Sequence, residues 1–395
     1  MRPRQELPLA MFPDEHGWTD NAVGSFSDAG GPFIVNNDRS YKIVSNGKGA
    51  ASVATSPTLA ETDLTDSHVA FHSQVSFSSR LQAVRLRLSS ANIATDYAEA
   101  TIWEDGEDSI ALGSSFEFQT VPVESFQVVG SIEWSAINRA QILLTDNGTG
   151  STTLYVAGIY AVPVERQAIV SFAFDDGHAS VLNPALRKLS GYRYPATAYV
   201  IVDVLGEEGW LGLEDLYFLR QQHRWEIAGH AFTLANHNLP NGFDDLEGEE
   251  LEAELDGLRN WLDERGFRRD SFAYPKGAAG LEVRRLIERD YRLGRVTAAG
   301  PETRPTRDDY TLRGWSIDSE TDTAEAIEAA LDAAVEAGTW LILTFHNIVS
   351  GEPEAATDFN LGDFEQIVDH VAALQQEGAG LEVLTVADAW RTWAA

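Results

Sequence analysis

From Gln167 to the C-terminus, short apolar runs alternate with stretches whose apolar residues recur every three or four positions. The runs at 168–174, 196–203, 225–230, 271–275, 293–297, 312–317, 340–346 and 381–385 predict strands. The periodic stretches at 180–190, 212–222, 247–265, 280–290, 323–337 and 362–377 predict amphipathic helices. Strand–helix alternation on this scale predicts a parallel (β/α) barrel, distorted and of seven or eight strands. Residues 1 to about 165 carry a different pattern, rich in Ser, Thr, Gly and Asn, with short alternating runs at Leu81–Leu88, Tyr97–Trp103 and Ala140–Thr145. Turn signals such as Asp146-Asn147-Gly148 separate those runs, which predicts an all-β sandwich ahead of the barrel, with Asn147-Gly148-Thr149 a hairpin turn before it is a glycosylation site. Val162–Arg166 is the expected junction, giving domains 1–165 and 166–395.

Composition narrows the chemistry. An apolar share of 44% and an aromatic share of 10% belong to a folded chain. No apolar run reaches the length of a membrane span. The net charge is −32, and only Lys42, Lys48, Lys188 and Lys276 among the 29 basic residues are lysines. Many carboxylates with little lysine resemble the bias of salt-adapted proteomes, so a haloarchaeal source or its virus is the expected origin. No basic patch is present to replace phosphate counterions, which argues against nucleic acid as a partner. Without cysteine there are neither disulfides nor thiolate ligands, and any metal must sit on histidine and carboxylate. Met1–Ala10 has neither an apolar signal segment nor a twin arginine, so an extracellular or cell-surface location would need another route out, such as a virion tail or baseplate.

A parallel barrel places its chemistry at the C-terminal strand ends. The run Ile169–Phe174 ends there in Asp175-Asp176-Gly177, two adjacent carboxylates that the alternation of a strand would point apart. The third strand ends at His230, with His237 following. The fourth leads into Tyr274-Pro275-Lys276-Gly277, and a late strand ends at His346. His230 and His237 are seven positions apart, which in a helix would separate them by about 10 Å along the axis; only a folded-back loop would bring them to one ion. Leu234, four after His230, cannot bind metal. His178 is expected to face the start of the first helix. His16, His68 and His72 have no metal spacing, and the carboxylates of Leu246–Glu264 read as a solvated helix face.

Taken in order, these segments resemble the polysaccharide deacetylases, carbohydrate esterase family 4 or the NodB-homology domain, over roughly 167–390. The resemblance is carried by Phe174-Asp-Asp-Gly177, by His230 and His237, by Phe272-Ala-Tyr-Pro-Lys-Gly277, by Trp315-Ser-Ile-Asp318 and by Leu343-Thr-Phe-His346. It implies Asp175 as catalytic base, Asp176, His230 and His237 as ligands of a divalent metal, zinc first, and His346 as general acid. It assigns Tyr274, Lys276, Trp315 and Asp318 to the substrate groove and oxyanion site, with a backbone N–H near Lys276 as the oxyanion donor. Trp210, Trp315 and Tyr274 are candidates for stacking on sugar rings. Ala273 stands where many members have the arginine that holds the base, and Thr321-Asp322 replaces an expected Asp-Trp pair.

The chemistry so implied is removal of N-acetyl, or O-acetyl, groups from an acetylated surface glycan. The sandwich resembles jelly-roll carbohydrate-binding modules in general pattern; glycan binding and attachment to other virion proteins, with oligomerisation, both remain open for it. The alternative is a glycan-binding or structural virion protein that keeps the barrel without catalysis.

Overall fold

The computed structural model describes residues 7–10, 17–28, 40–76, 78–104, 117–163 and 167–394. Two units make up the chain: 1–164 with 303–307, and 165–302 with 308–395. Val164–Arg166, within the expected junction, and His16 lie outside the described residues.

The second unit is a closed parallel barrel. Its strands run Thr197–Ile201, Glu226–Ala231, Ser271–Ala273, Leu293–Thr297, Leu312–Ser316, Trp340–Phe345 and Ala168–Phe174 around the ring. The last of these pairs back onto the first through Ala173↔Thr197 and Phe174↔Ala198, which closes seven strands. Leu381–Val383 adds an eighth strand beside Ala168–Phe174, outside the ring. Ala168–Phe174 is buried at every position, as a strand covered on both faces must be, and this explains its unbroken apolar run. Strands and helices fall within a few residues of the predicted spans. Helix ends follow ordinary capping: Thr323 accepts the Ala326 N–H at the start of Ala324–Ala337, and Gly338 ends that helix at φ +63°.

Among the elements beyond the sequence expectation, two bear on the site. A one-turn helix, Leu234–His237, follows the third strand. A C-terminal helix, Val386–Ala394, packs Val386, Ala389 and Trp393 against Ile169, Trp340 and Leu293 inside the barrel core. Its first N–H groups reach the beginnings of strands, Val386 to Thr197 Oγ1 and Ala387 to Glu226 Oε2. The helix therefore plugs the N-terminal end of the barrel and leaves the opposite end for chemistry. At nine residues it is too short for periodicity to register.

In the first unit, two antiparallel sheets of six strands enclose one core. The longest strand, Thr153–Pro163, lies between Tyr41–Val44 and Ser67–Ser76 in one sheet, and Arg139–Asp146 lies between Leu81–Ser89 and Ser52–Thr55 in the other. Ile43, Phe71 and Leu154 from the first meet Leu86, Ala98 and Ile142 from the second. The 147–149 segment is a correction: it joins strands of different sheets and is no hairpin. Buried Asp146 organises it, accepting the N–H groups of Gly47, Gly49 and Gly148 at 2.8–2.9 Å. His68 and His72 are buried within Ser67–Ser76.

Candidate metal centre

The strand Ala168–Phe174 delivers its two aspartates by breaking its own alternation. Asp175 still belongs to the ladder, its N–H donating to Phe345 O at 2.9 Å, which sets it beside the end of the strand leading to His346. Asp176 then turns to φ +70°, a left-handed conformation rare for a non-glycine residue, followed by Gly177 at φ +92°. That turn swings the second carboxylate toward the third strand instead of away from it.

There Asp176 Oδ1 lies 3.4 Å from His230 Nε2 and 3.2 Å from His237 Nε2, and the two ring nitrogens are 3.1 Å apart. The outer face of each imidazole fixes its tautomer. His230 Nδ1–H donates to Ala273 O at 2.8 Å, and His237 Nδ1–H donates to Asn238 Oδ1 at 3.0 Å. Both Nε2 atoms of the neutral rings thus present lone pairs to each other and to a buried carboxylate oxygen that has no donor among the described residues. Three converging acceptors require a positive charge between them. A tetrahedral ion with ligand bonds of about 2.0–2.1 Å places its ligand atoms about 3.3 Å apart, and the three observed separations bracket that value. Asp176, His230 and His237 therefore fit a divalent metal. The seven-residue spacing is solved by the fold-back: His230 lies one residue before the end of its strand, the chain bends at 232–233, and His237 returns on the one-turn helix.

Electrostatics agree with this arrangement. Burial alone would raise the Asp176 carboxyl, but the imidazoles of His178, His230 and His237 outweigh it and hold the group well below the ordinary carboxylate range. Burial likewise pushes His230 down, and the Asp176 carboxylate against its ring, with the charge of Asp175, brings the net direction up, the same pull toward positive charge that a cation among the three would answer. At His346 burial wins and the imidazole is lowered, against the opposing pull of Asp175 and Asp176. Its Nδ1 is buried without a partner among the described residues.

Asp175 has a partner that the sequence did not disclose. Arg295, fully buried, donates from Nη2 to both carboxylate oxygens at 2.7 and 2.6 Å, with its guanidinium 5.0 Å from the Tyr199 ring. Arg295 is the register partner of Ala273 on the neighbouring strand. The arginine expected at 273 has in effect moved one strand across, and the alanine leaves it room. Gly314, on the following strand, completes the channel: a Cβ there would overlap Arg295 Cδ. The available signal was a charged residue inside the strand run Leu293–Thr297, where burial is tolerated only with a partner.

The remaining predicted residues are placed unevenly. Tyr274 is a correction: its side chain is 1% exposed and packs edge-on against Phe272, so its ring cannot stack on a sugar. Lys276 is exposed in a tight turn at φ +59°, where the Gly277 and Ala278 N–H groups bond back to Tyr274 O and Pro275 O. Trp315 is half-buried. Asp318 closes its own turn, accepting the Glu320 N–H while its N–H donates to Asp322. His178 stands at the start of the first helical turn, Ala179–Val181, and its ring stacks on Trp210 at 4.6 Å, with Nε2 3.6 Å from Asp176 Oδ2. Glu254, one of the carboxylates read as a solvated face, is 3% exposed.

No family model matches the chain, and no curated protein matches it. Solved structures similar to it include the Xyl-CE4 domain of a multidomain xylanase from the hindgut metagenome of Trinervitermes trinervoides, at 14% identity and TM-score 0.38 over 58% of this chain and 92% of that one. A family 4 acetyl xylan esterase from Clostridium thermocellum, in complex with a cobalt ion, is 17% identical at TM-score 0.38, over 57% and 91%. A family 11 carbohydrate-binding module of a Clostridium thermocellum cellulase is 14% identical at TM-score 0.29, over 40% and 95%.

Proposed function

We propose that this protein is a metal-dependent hydrolase that removes acetyl groups from a glycan, N-acetyl in preference to O-acetyl. The observation that carries the proposal is the convergence of Asp176, His230 and His237 on one point, beside an Asp175 carboxylate held by Arg295. Asp176, His230 and His237 would hold the ion. When bound, a divalent ion on two imidazoles and a carboxylate, zinc first among candidates, supplies Lewis-acid polarisation of a carbonyl and a lowered pKa of water.

The chain's own residues supply the proton traffic. Asp175 accepts a proton from the water that adds to the acetyl carbonyl carbon. Arg295 keeps that carboxylate aimed, with both oxygens engaged from one side. His346, at the end of the adjacent strand, carries a proton to the amine nitrogen as the C–N bond breaks, releasing acetate. The tight turn at Lys276 is the candidate source of an oxyanion donor. The Trp210 and His178 pair and Trp315 are candidate walls for the sugar.

For the first unit we extend the proposal to glycan binding. Gln127, Glu99, Arg87, Gln141 and Thr55 line up in register across one sheet, none of them buried. Arg87 covers the Tyr97 ring at 4.2 Å and bonds Glu99. Such a row of donors and acceptors suits sugar hydroxyls. The acidic, lysine-poor composition supports work in concentrated salt, and the proposal places that work at a cell surface or on a virion. The reading is tested by acetate release from acetylated chito-oligosaccharide with the zinc-loaded protein: release that Asp175→Ala and His346→Ala abolish is expected, and no release with zinc at hand overturns it.

A further inference from the structure

The fold-back that brings His237 to His230 creates a backbone problem. At 232 and 233 the chain has left the strand ladder and has not entered the one-turn helix, so two N–H groups there lack regular partners. Glu254, from the middle of the helix Gly248–Glu264, meets both. Its Oε1 accepts the N–H of Phe232 at 2.6 Å and of Thr233 at 2.9 Å. Its Oε2 accepts Thr233 Oγ1–H at 3.0 Å and Asn236 Nδ2–H at 2.7 Å. Every one of these donors lies between the two histidines. Glu254 sits in the stripe Leu251, Leu255, Leu258 and Leu262 that seats its helix, so its carboxylate is fixed by core packing.

We propose that Glu254 is a positioning residue of the metal centre, the group that bends 232–236 so that a histidine seven residues on completes the shell. The proposal rests on the metal reading above. Asp203 assists from the other side, its Oδ1 accepting the Leu234 N–H at 2.8 Å. The carboxylate touches neither ion nor substrate; it acts through the backbone that carries His237.

The test is zinc affinity by competition titration on the full chain, with cobalt spectra as the geometric readout. Wild type is expected to bind one zinc and, with Co²⁺, to give the visible bands of a low-coordinate site. Glu254→Ala is expected to bind zinc about 10- to 100-fold more weakly, the range found when outer groups that orient ligands are removed, with an altered cobalt spectrum. Glu254→Gln keeps an acceptor for Phe232 and Thr233 and is expected to fall between; it also carries the test if the alanine variant does not fold. Val371→Ala, buried in the helix Leu361–Gln376, which carries none of the ligands, controls for lost stability and is expected to leave zinc affinity unchanged. Folded Glu254 variants with wild-type affinity and spectrum overturn the proposal, as does an equal loss in Val371→Ala. A wild type that binds no zinc or cobalt overturns the metal reading itself.

Discussion

Arg295 reaches across from the strand beside Ala273 and grips both oxygens of Asp175 from a fully buried position. Two desolvated charges in such contact depend on each other. Removing one leaves the other uncompensated, at a cost of about 3–5 kcal/mol. Arg295→Met is therefore expected to lower stability by that amount in denaturant titration and to abolish acetate release. Arg295→Met with Asp175→Asn is expected to recover most of the stability and none of the activity, a separation that a merely structural pair would not give.

Gly314→Ala probes the same pair without touching a charge. The added methyl overlaps Arg295 Cδ inside a packed barrel, where overpacking costs about 1–3 kcal/mol. A lowered melting midpoint is expected together with a drop in kcat, because the guanidinium must shift to make room. Unchanged kcat at a lowered midpoint would separate Arg295 from the chemistry.

Chelation tests the triad. Dialysis against a strong chelator is expected to abolish acetate release, and one equivalent of zinc to restore it. His237→Ala is expected to lose metal affinity about as completely as His230→Ala, since each contributes one of three converging atoms. Retained zinc binding in His237→Ala would remove that residue from the shell.

Glu226 lies at the opposite end of the barrel, bonded to Ser271, Thr197 and the Ala387 N–H. Burial raises its carboxyl above the ordinary value, and the hydrogen bonds offset that only in part. A raised folded pKa means that the folded state binds the proton more tightly than the unfolded chain. Its stabilising contribution is present below the unfolded value of about 4.3 and is lost as pH rises through the folded value. Glu226→Gln is expected to flatten that part of the stability–pH curve, measured by denaturant titration as the pH is raised from below the unfolded value of about 4.3.

The legible part of the site was the part written in strand ends. Asp175, Asp176, His230 and His346 stand immediately after apolar runs, and a parallel barrel brings such ends together whatever the loops do. Arg295 and Glu254 were hidden for a common reason. Each is a charge inside an apolar pattern, and a pattern alone does not say whether such a charge is solvated or buried with partners. Tyr274 failed in the other direction: an aromatic at a strand end reads as a groove wall until packing turns its ring into the core.

The sequence by itself determined the period of each segment, and with it a sandwich followed by a parallel barrel, the end of the barrel where polar groups collect, and the absence of any thiolate ligand. Those properties depend on residue type and spacing along the chain, which are local. The tertiary structure decided three things: that Asp176 turns left-handed to join His230, that His237 folds back across seven residues, and that Asp175 takes its arginine from the next strand over. Each is a contact between residues distant in sequence or a backbone turn held by such contacts. No periodicity encodes them, because they depend on which side chains the closed barrel leaves room for.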